Sequence, residues 1–182
     1  MIAECMLFLA SFSTPSIGNE TEFVNTSIEC RQEVPQSMRD HAELFLEHFD
    51  FENIDTAVRI SWCESRGKAD AVRTAEGNDD SGVFQFVPWT WNWVAEKYEL
   101  PKWDTWIVKY NGRPYTENKV SRSSVGFEIT KVQLSPYYNI LFASLLSQDM
   151  YSQVQWRDWS SSEWCWGNEK KWTKMWKKEN NI

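Results

Sequence analysis

Two neighbouring stretches decide how this chain reads: Trp62-Cys63-Glu64-Ser65-Arg66-Gly67-Lys68-Ala69-Asp70-Ala71-Val72, and then Asn78-Asp79-Asp80-Ser81-Gly82-Val83-Phe84-Gln85-Phe86-Val87-Pro88-Trp89-Thr90-Trp91. The first closes an amphipathic helix expected from about Asn53 to Arg66. Ile54, Ala57, Val58, Ser61 and Trp62 keep the 3.6-residue period, Asn53 or Asp55 serves as N-cap, and Gly67 ends it. Glu64 falls in the last turn, on the side of Ala57 and Ile60, so its carboxylate is expected beside apolar surface at a helix end. A Gly-, Asn- and Asp-rich loop over 68–81 follows, and Pro88 marks the first turn of the next helix.

Outward from this segment the chain reads as mainly helical, an α+β architecture with short strands confined to an insertion. Met38, His41, Leu44, Phe45 and His48 share one stripe of a helix over 37–49. Ser135-Pro136 opens a buried helix carrying Ile140, Leu141, Leu145 and Leu146. Between the helices, residues 101–134 read as an insertion, with a turn at Tyr110-Asn111-Gly112-Arg113 and a short strand pair within 120–134. The expected organisation is a leader and polar linker over 1–35, a folded domain over 36–167, and a basic Trp-containing tail over 168–182. That tail spaces Trp172 and Trp176 one helical turn apart among lysines. It suits either a helix docked on the body or one lying on a wall polymer or membrane surface.

The formal net charge of −7 supplies no positive field for nucleic acid. Two histidines and four cysteines without CxxC spacing argue against zinc, and no other cofactor is indicated. The apolar run over 1–12 is too short to span a bilayer. It resembles a signal peptide without its basic start, since Glu4 stands where a cation is expected. The sequons at Asn19 and Asn25 are too short to carry an argument. The twelve tryptophans are the compositional outlier. Indole rings fill cores, and their faces also stack on the C–H faces of sugars.

Cleaving a glycosidic bond requires a carboxylic acid that stays protonated while positive charge builds on the sugar. An ordinary Glu, with a pKa of about 4.3, is mostly ionised at neutral pH, and apolar surroundings raise that value. A hydrophobic pocket around the acid is how such tuning is achieved in glycoside-cleaving enzymes. Glu64, expected beside Ile60 and Trp62, meets the requirement, as other glutamates would on this ground alone.

Glu64-Ser65 followed by Ser81-Gly82-Val83-Phe84-Gln85 resembles the paired E-S and S-x-G-x-x-Q motifs of the lysozyme-like superfamily, in particular lytic transglycosylases and resuscitation-promoting factors. Tyr138-Asn139-Ile140 is similar to the N-I element of transglycosylases. Cys63 before the Glu, and Cys165 after Trp156-Arg157-Asp158-Trp159, correspond to the cysteines of the resuscitation-promoting factors. The resemblance covers about residues 36–167, outside the insertion, and the A-Y-N-A-G motif of transglycosylases is absent.

The resemblance implies a lysozyme-like fold, a Cys63–Cys165 disulfide and a peptidoglycan glycan strand as substrate. Glu64 is then the catalytic acid, and Ser81, Gly82, Phe84, Gln85, Trp91, Tyr138 and Asn139 line the glycan site. Gly82 admits the backbone close to the sugar, and Gln85 hydrogen-bonds hydroxyl or N-acetyl groups. Asp79 and Asp80 are the candidates for a second carboxylate, although Asp is common in such turns for local reasons. Cys5 and Cys30 are left to pair with each other, unless Cys5 departs with a leader. A secreted or cell-envelope setting follows, with a virion-associated or phage lysis role as the other setting. The competing class is a glycan-binding or structural wall module on the same scaffold without turnover.

Overall fold

The computed structural model describes residues 2–10, 30, 33–75, 78–115, 126–148 and 155–181. The sequons, most of the polar stretch 13–35 and the middle of the insertion lie outside them. The described chain is mainly helical, with two small antiparallel sheets. It divides into two compact units, one formed by residues 1–67 with 156–182 and the other by 68–155. The boundary between the units follows Gly67, just beyond the helix bearing Glu64.

In the first unit, α1 (Ile2–Ala10), α2 (Gln36–Arg39), α3 (Ala42–His48) and α4 (Phe51–Ser65) combine with the C-terminal α7 (Glu163–Trp166) and α8 (Glu169–Glu179). Ahead of the expected domain start near Gln36, the described residues already include α1. Ile2, Ala3, Cys5 and Met6 are buried, the backbone N–H of Ala3 donates to Asp55 Oδ1 at 2.7 Å, and Cys5 is disulfide-bonded to Cys30. A run short and apolar enough to read as a leader is equally suited to be a core helix. Val34 is likewise buried, and its carbonyl accepts from Arg39 Nε at 2.9 Å. The helix expected over 37–49 is two helices, because the backbone leaves helical geometry at His41 (φ −115°, ψ 9°).

Helix α4 runs close to the expected span and carries Ile54, Ala57, Val58, Ile60, Ser61 and Trp62 inward. It ends with two successive residues in the left-handed region, Arg66 (φ 58°) and Gly67 (φ 72°), whose N–H groups donate to Trp62 O and Ser61 O. A Cβ on Gly67 would lie 1.4 Å from Met38 Cε, so glycine is required by packing against α2 as well as by the turn. The tail is the docked helix of the two expectations. Trp172 and Trp176 are buried, stacked on each other at 6.0 Å, and Trp172 meets Trp62 edge-on at 5.7 Å.

The second unit opens with a hairpin, β1 (Val72–Ala75) and β2 (Asn78–Ser81), in place of the expected loop. Then come α5 (Pro88–Lys97), with Pro88 in its first turn as expected, and a sheet of order β4-β3-β5. Its strands are β3 (Trp106–Tyr110), β4 (Arg113–Pro114) and β5 (Phe127–Lys131). Tyr110 pairs with Arg113 across Asn111 (φ 49°) and Gly112 (φ 78°), the two positive-φ positions of a type I′ hairpin. Helix α6 (Pro136–Gln148) completes the unit, and Phe84, Phe86, Trp91, Val94, Ile140, Phe142 and Ala143 form its core.

Cys63 is bonded to Cys165, joining α4 to α7 within the first unit. Two disulfides fit an oxidising compartment. Among the described residues, no helix is long and apolar enough to cross a membrane.

Candidate functional site

Glu64 is half-buried in the last turn of α4, one residue after the Cys63–Cys165 bridge. Ile60, one turn earlier, is fully buried, and Ser65 is buried with its hydroxyl donating to Ser61 O at 3.2 Å. Trp62 is not the expected apolar wall for Glu64. Two residues apart, the two side chains leave the helix about 200° apart. Trp62 instead packs against Trp172, and the Arg66 guanidinium lies 4.0 Å from its ring centroid. Arg66 also donates through Nε to Glu179 Oε1 at 2.8 Å and through Nη1 to Trp62 O at 2.9 Å. The cation nearest Glu64 in sequence is therefore anchored at both ends to other groups.

The glycan-site residues expected from sequence all belong to the second unit, where Ser81 to Phe86 form a tight turn. The backbones of Ser81 and Phe86 exchange two 3.0 Å hydrogen bonds, and Gly82 (φ 82°) and Gln85 (φ 51°) both take the left-handed conformation. Asn139, fully buried on α6, clamps this turn from inside. Its Oδ1 accepts from Phe84 N at 2.7 Å, and its Nδ2 donates to Ser81 O at 3.2 Å and Gln133 O at 3.0 Å. Gln85 Nε2 donates back to Gly82 O at 2.8 Å and Ala71 O at 3.2 Å. This use of both amide hydrogens explains how a residue other than glycine holds a positive φ here.

Several expected ligand contacts are corrected by burial. Phe84 and Trp91 are fully enclosed in the core, Trp91 stacked on Phe142 at 3.8 Å with its N–H donated to Pro101 O at 3.0 Å. Asn139 spends its amide on the turn, and Gly82 is buried beneath it, so both shape the turn from within and present no surface to a sugar. Asp80 is buried and ion-paired with Arg73, its cross-strand partner, which leaves exposed Asp79 as the only accessible one of the two carboxylates. Ser81 is buried, whereas Gln85 and Tyr138 are half-buried. Burial, and next the neighbouring Tyr137, push the Tyr138 hydroxyl above its ordinary pKa and keep it a neutral donor.

Sequence reasoning missed Gln133. It is buried on the 3₁₀ turn Val132–Leu134, and its backbone carbonyl accepts from Asn139. Its side chain donates to Asp104 Oδ1 at 2.9 Å and accepts from Asp104 N at 3.2 Å. Asp104 also accepts from Lys131 Nζ at 2.7 Å. The hydrogen bonds from Lys131 and Gln133 hold its carboxyl below the ordinary range. No sequence signal marks Gln133, because its role depends on tertiary placement.

Comparison with known proteins finds no protein family, no curated protein and no solved structure that matches this chain.

Gly82 is the most demanding position of the turn. A Cβ there would lie 2.1 Å from Asn139 Nδ2 and 2.5 Å from the backbone oxygen of Gln133, at a φ that L side chains rarely adopt. Gly112, at φ 78°, has open space around it. Gly82→Ala should therefore cost about 3 kcal/mol or more, and Gly112→Ala about 1 kcal/mol from backbone strain alone. Urea unfolding followed by tryptophan fluorescence checks this. Equal losses at the two glycines would mean that the Asn139 clamp does not constrain the turn.

Proposed function

We propose that this protein cleaves the β-1,4 bond between N-acetylmuramic acid and N-acetylglucosamine in peptidoglycan, as a lysozyme-like enzyme with Glu64 as general acid and then general base. The observation that supports the reading most is the coupling of two motifs named from sequence. Asn139 of Tyr138-Asn139-Ile140 holds the Ser81–Gln85 turn through a hydrogen bond spanning 55 residues. Both motifs therefore serve one local structure, with half-buried Gln85 at its end.

Glu64 contributes a half-buried carboxyl in the last turn of a helix. It lies one turn after buried Ile60, and in this role it donates a proton to the departing oxygen. Proton transfer to the bridging oxygen breaks the glycosidic bond. The resulting carboxylate then takes a proton from water, giving a hydrolysed end, or from the sugar's own hydroxyl, giving a 1,6-anhydro end. The two disulfides fit a secreted or envelope setting.

The test is incubation of the protein with peptidoglycan sacculi and mass measurement of the released muropeptides. Release is expected, and products lighter by one water identify the anhydro route. A protein that binds sacculi and releases nothing has the second function, a glycan-binding wall module. That reading draws support from the enclosure of Phe84, Trp91 and Asn139, which fits a purely architectural use of the same residues.

A further inference from the structure

Helix α8 (Glu169–Glu179) presents an outward row of cations that its internal packing does not use. Its apolar side is used internally, with Trp172 and Trp176 buried. Its two glutamates are both engaged by arginines: Glu169 by Arg59 of α4 at 3.8 Å, and Glu179 by Arg66, the residue that ends α4, at 2.8 Å. The helix lysines thus lose the acidic partners of their own helix. Lys177 pairs with Glu33 at 3.3 Å. Lys170, Lys174 and Lys178 are exposed, stand one turn apart, and have no ion-pair partner among the described residues. Like charges at i and i+4 destabilise a helix, and here they recur about every 6 Å in a chain of net charge −7.

An exposed indole lies against Lys171, the neighbour of Lys170. Trp164, just before Cys165, is 66% exposed. Lys171 Nζ donates to its carbonyl at 2.7 Å and lies 5.4 Å from its ring centroid, which ties the indole to α8.

We propose that Lys170, Lys174 and Lys178, with the Trp164 indole at their edge, form a docking face for a polyanionic carbohydrate strand bearing carboxylates, such as peptidoglycan with its stem peptides. The proposal rests on the wall-directed reading above and adds a retention site separate from Glu64. Ammonium groups meet the carboxylates and the indole stacks on a sugar face. A bilayer fits less well, since a helix lying on lipid inserts its apolar side, and here that side is buried in the protein.

The experiment uses full-length protein carrying Glu64→Gln, so that the polymer stays intact, and measures co-sedimentation with purified sacculi. Lys170→Gln/Lys174→Gln/Lys178→Gln should weaken retention about a hundredfold at low salt. Trp164→Ala should weaken it by up to about tenfold. Salt at about 1 M, where charges are screened beyond about 3 Å, should release the parent protein. Sacculi whose carboxylates have been amidated should bind as weakly as the triple variant binds native sacculi. Unchanged retention by the triple variant, with helix content intact by circular dichroism, would overturn the proposal. So would binding to phosphatidylglycerol vesicles without binding to sacculi, which would place a bilayer on this face. Salt-sensitive retention in a protein whose wild type releases no muropeptides would support the docking face while removing the enzymatic reading.

Discussion

Glu64→Gln should lower muropeptide release from sacculi by about a thousandfold, within the span that a positioned general acid contributes. Glutamine keeps the size and most hydrogen bonds of the side chain but has no acidic proton to donate, so only the chemical step is removed. The substitution should leave the fold intact, because Glu64 is half-buried at a helix end and the neighbouring structure is held by the Cys63–Cys165 bridge and the buried Ser65. Sacculus binding should survive. Loss of kcat with binding retained is what separates a proton donor from a residue that merely grips the strand. Release that stays within about threefold of wild type would exclude Glu64 as the acid. The same comparison with Asp79→Asn should show little loss, since Asp79 is an exposed strand residue and the N-acetyl group of the proposed substrate can stand in for a protein nucleophile.

The parts of this fold that are legible from sequence are those where a local rule is strong. The span and end of α4 follow from the periodicity of Ile54 to Trp62 and from Gly67, and the starts of α5 and α6 follow from Pro88 and Pro136. The hairpin of β1 and β2 is not legible. Val72-Arg73-Thr74-Ala75 and Asn78-Asp79-Asp80-Ser81 lack the apolar alternation that marks a half-buried strand, and their pairing is set by tertiary context such as the Arg73–Asp80 pair. Helix α1 is ambiguous for the opposite reason. Its local signal is clear, but an apolar nonamer carries the same composition whether it leaves the protein or packs inside it. In the described structure its residues bond to Cys30 and Asp55, a placement that composition does not announce. In the candidate site, the motif residues are visible in the sequence and several of their roles are not. Trp91 and Asn139 stand out for what their side chains offer a sugar, whereas both offer it to the protein: one stacks on Phe142 and the other holds the turn.

Removing the Cys63–Cys165 disulfide should produce the largest loss of stability, and the loss should be confined to one unit. The first unit is made from two segments far apart in the chain, and this bridge closes the 102-residue separation between them. In the chain-entropy account, a loop of that length contributes about 4.7 kcal/mol, against about 3.5 kcal/mol for the 25-residue separation of Cys5 and Cys30. Without the bridge, closure falls to Arg59–Glu169, Arg66–Glu179, Lys177–Glu33 and the packing of Trp172 on Trp62 of α4. The three ion pairs are partly exposed and add little. The Cys63→Ala/Cys165→Ala variant should therefore melt at least about 15 °C lower, in a transition that carries the near-ultraviolet circular dichroism of Trp62, Trp172 and Trp176. The second unit contains none of the four cysteines, and its core of Phe84, Trp91 and Phe142 should unfold at the wild-type temperature. A single shared transition, lowered as a whole, would show that the two units unfold cooperatively. An unchanged transition would show that α7 and α8 are held to α4 by packing alone, with the bridge adding nothing to it.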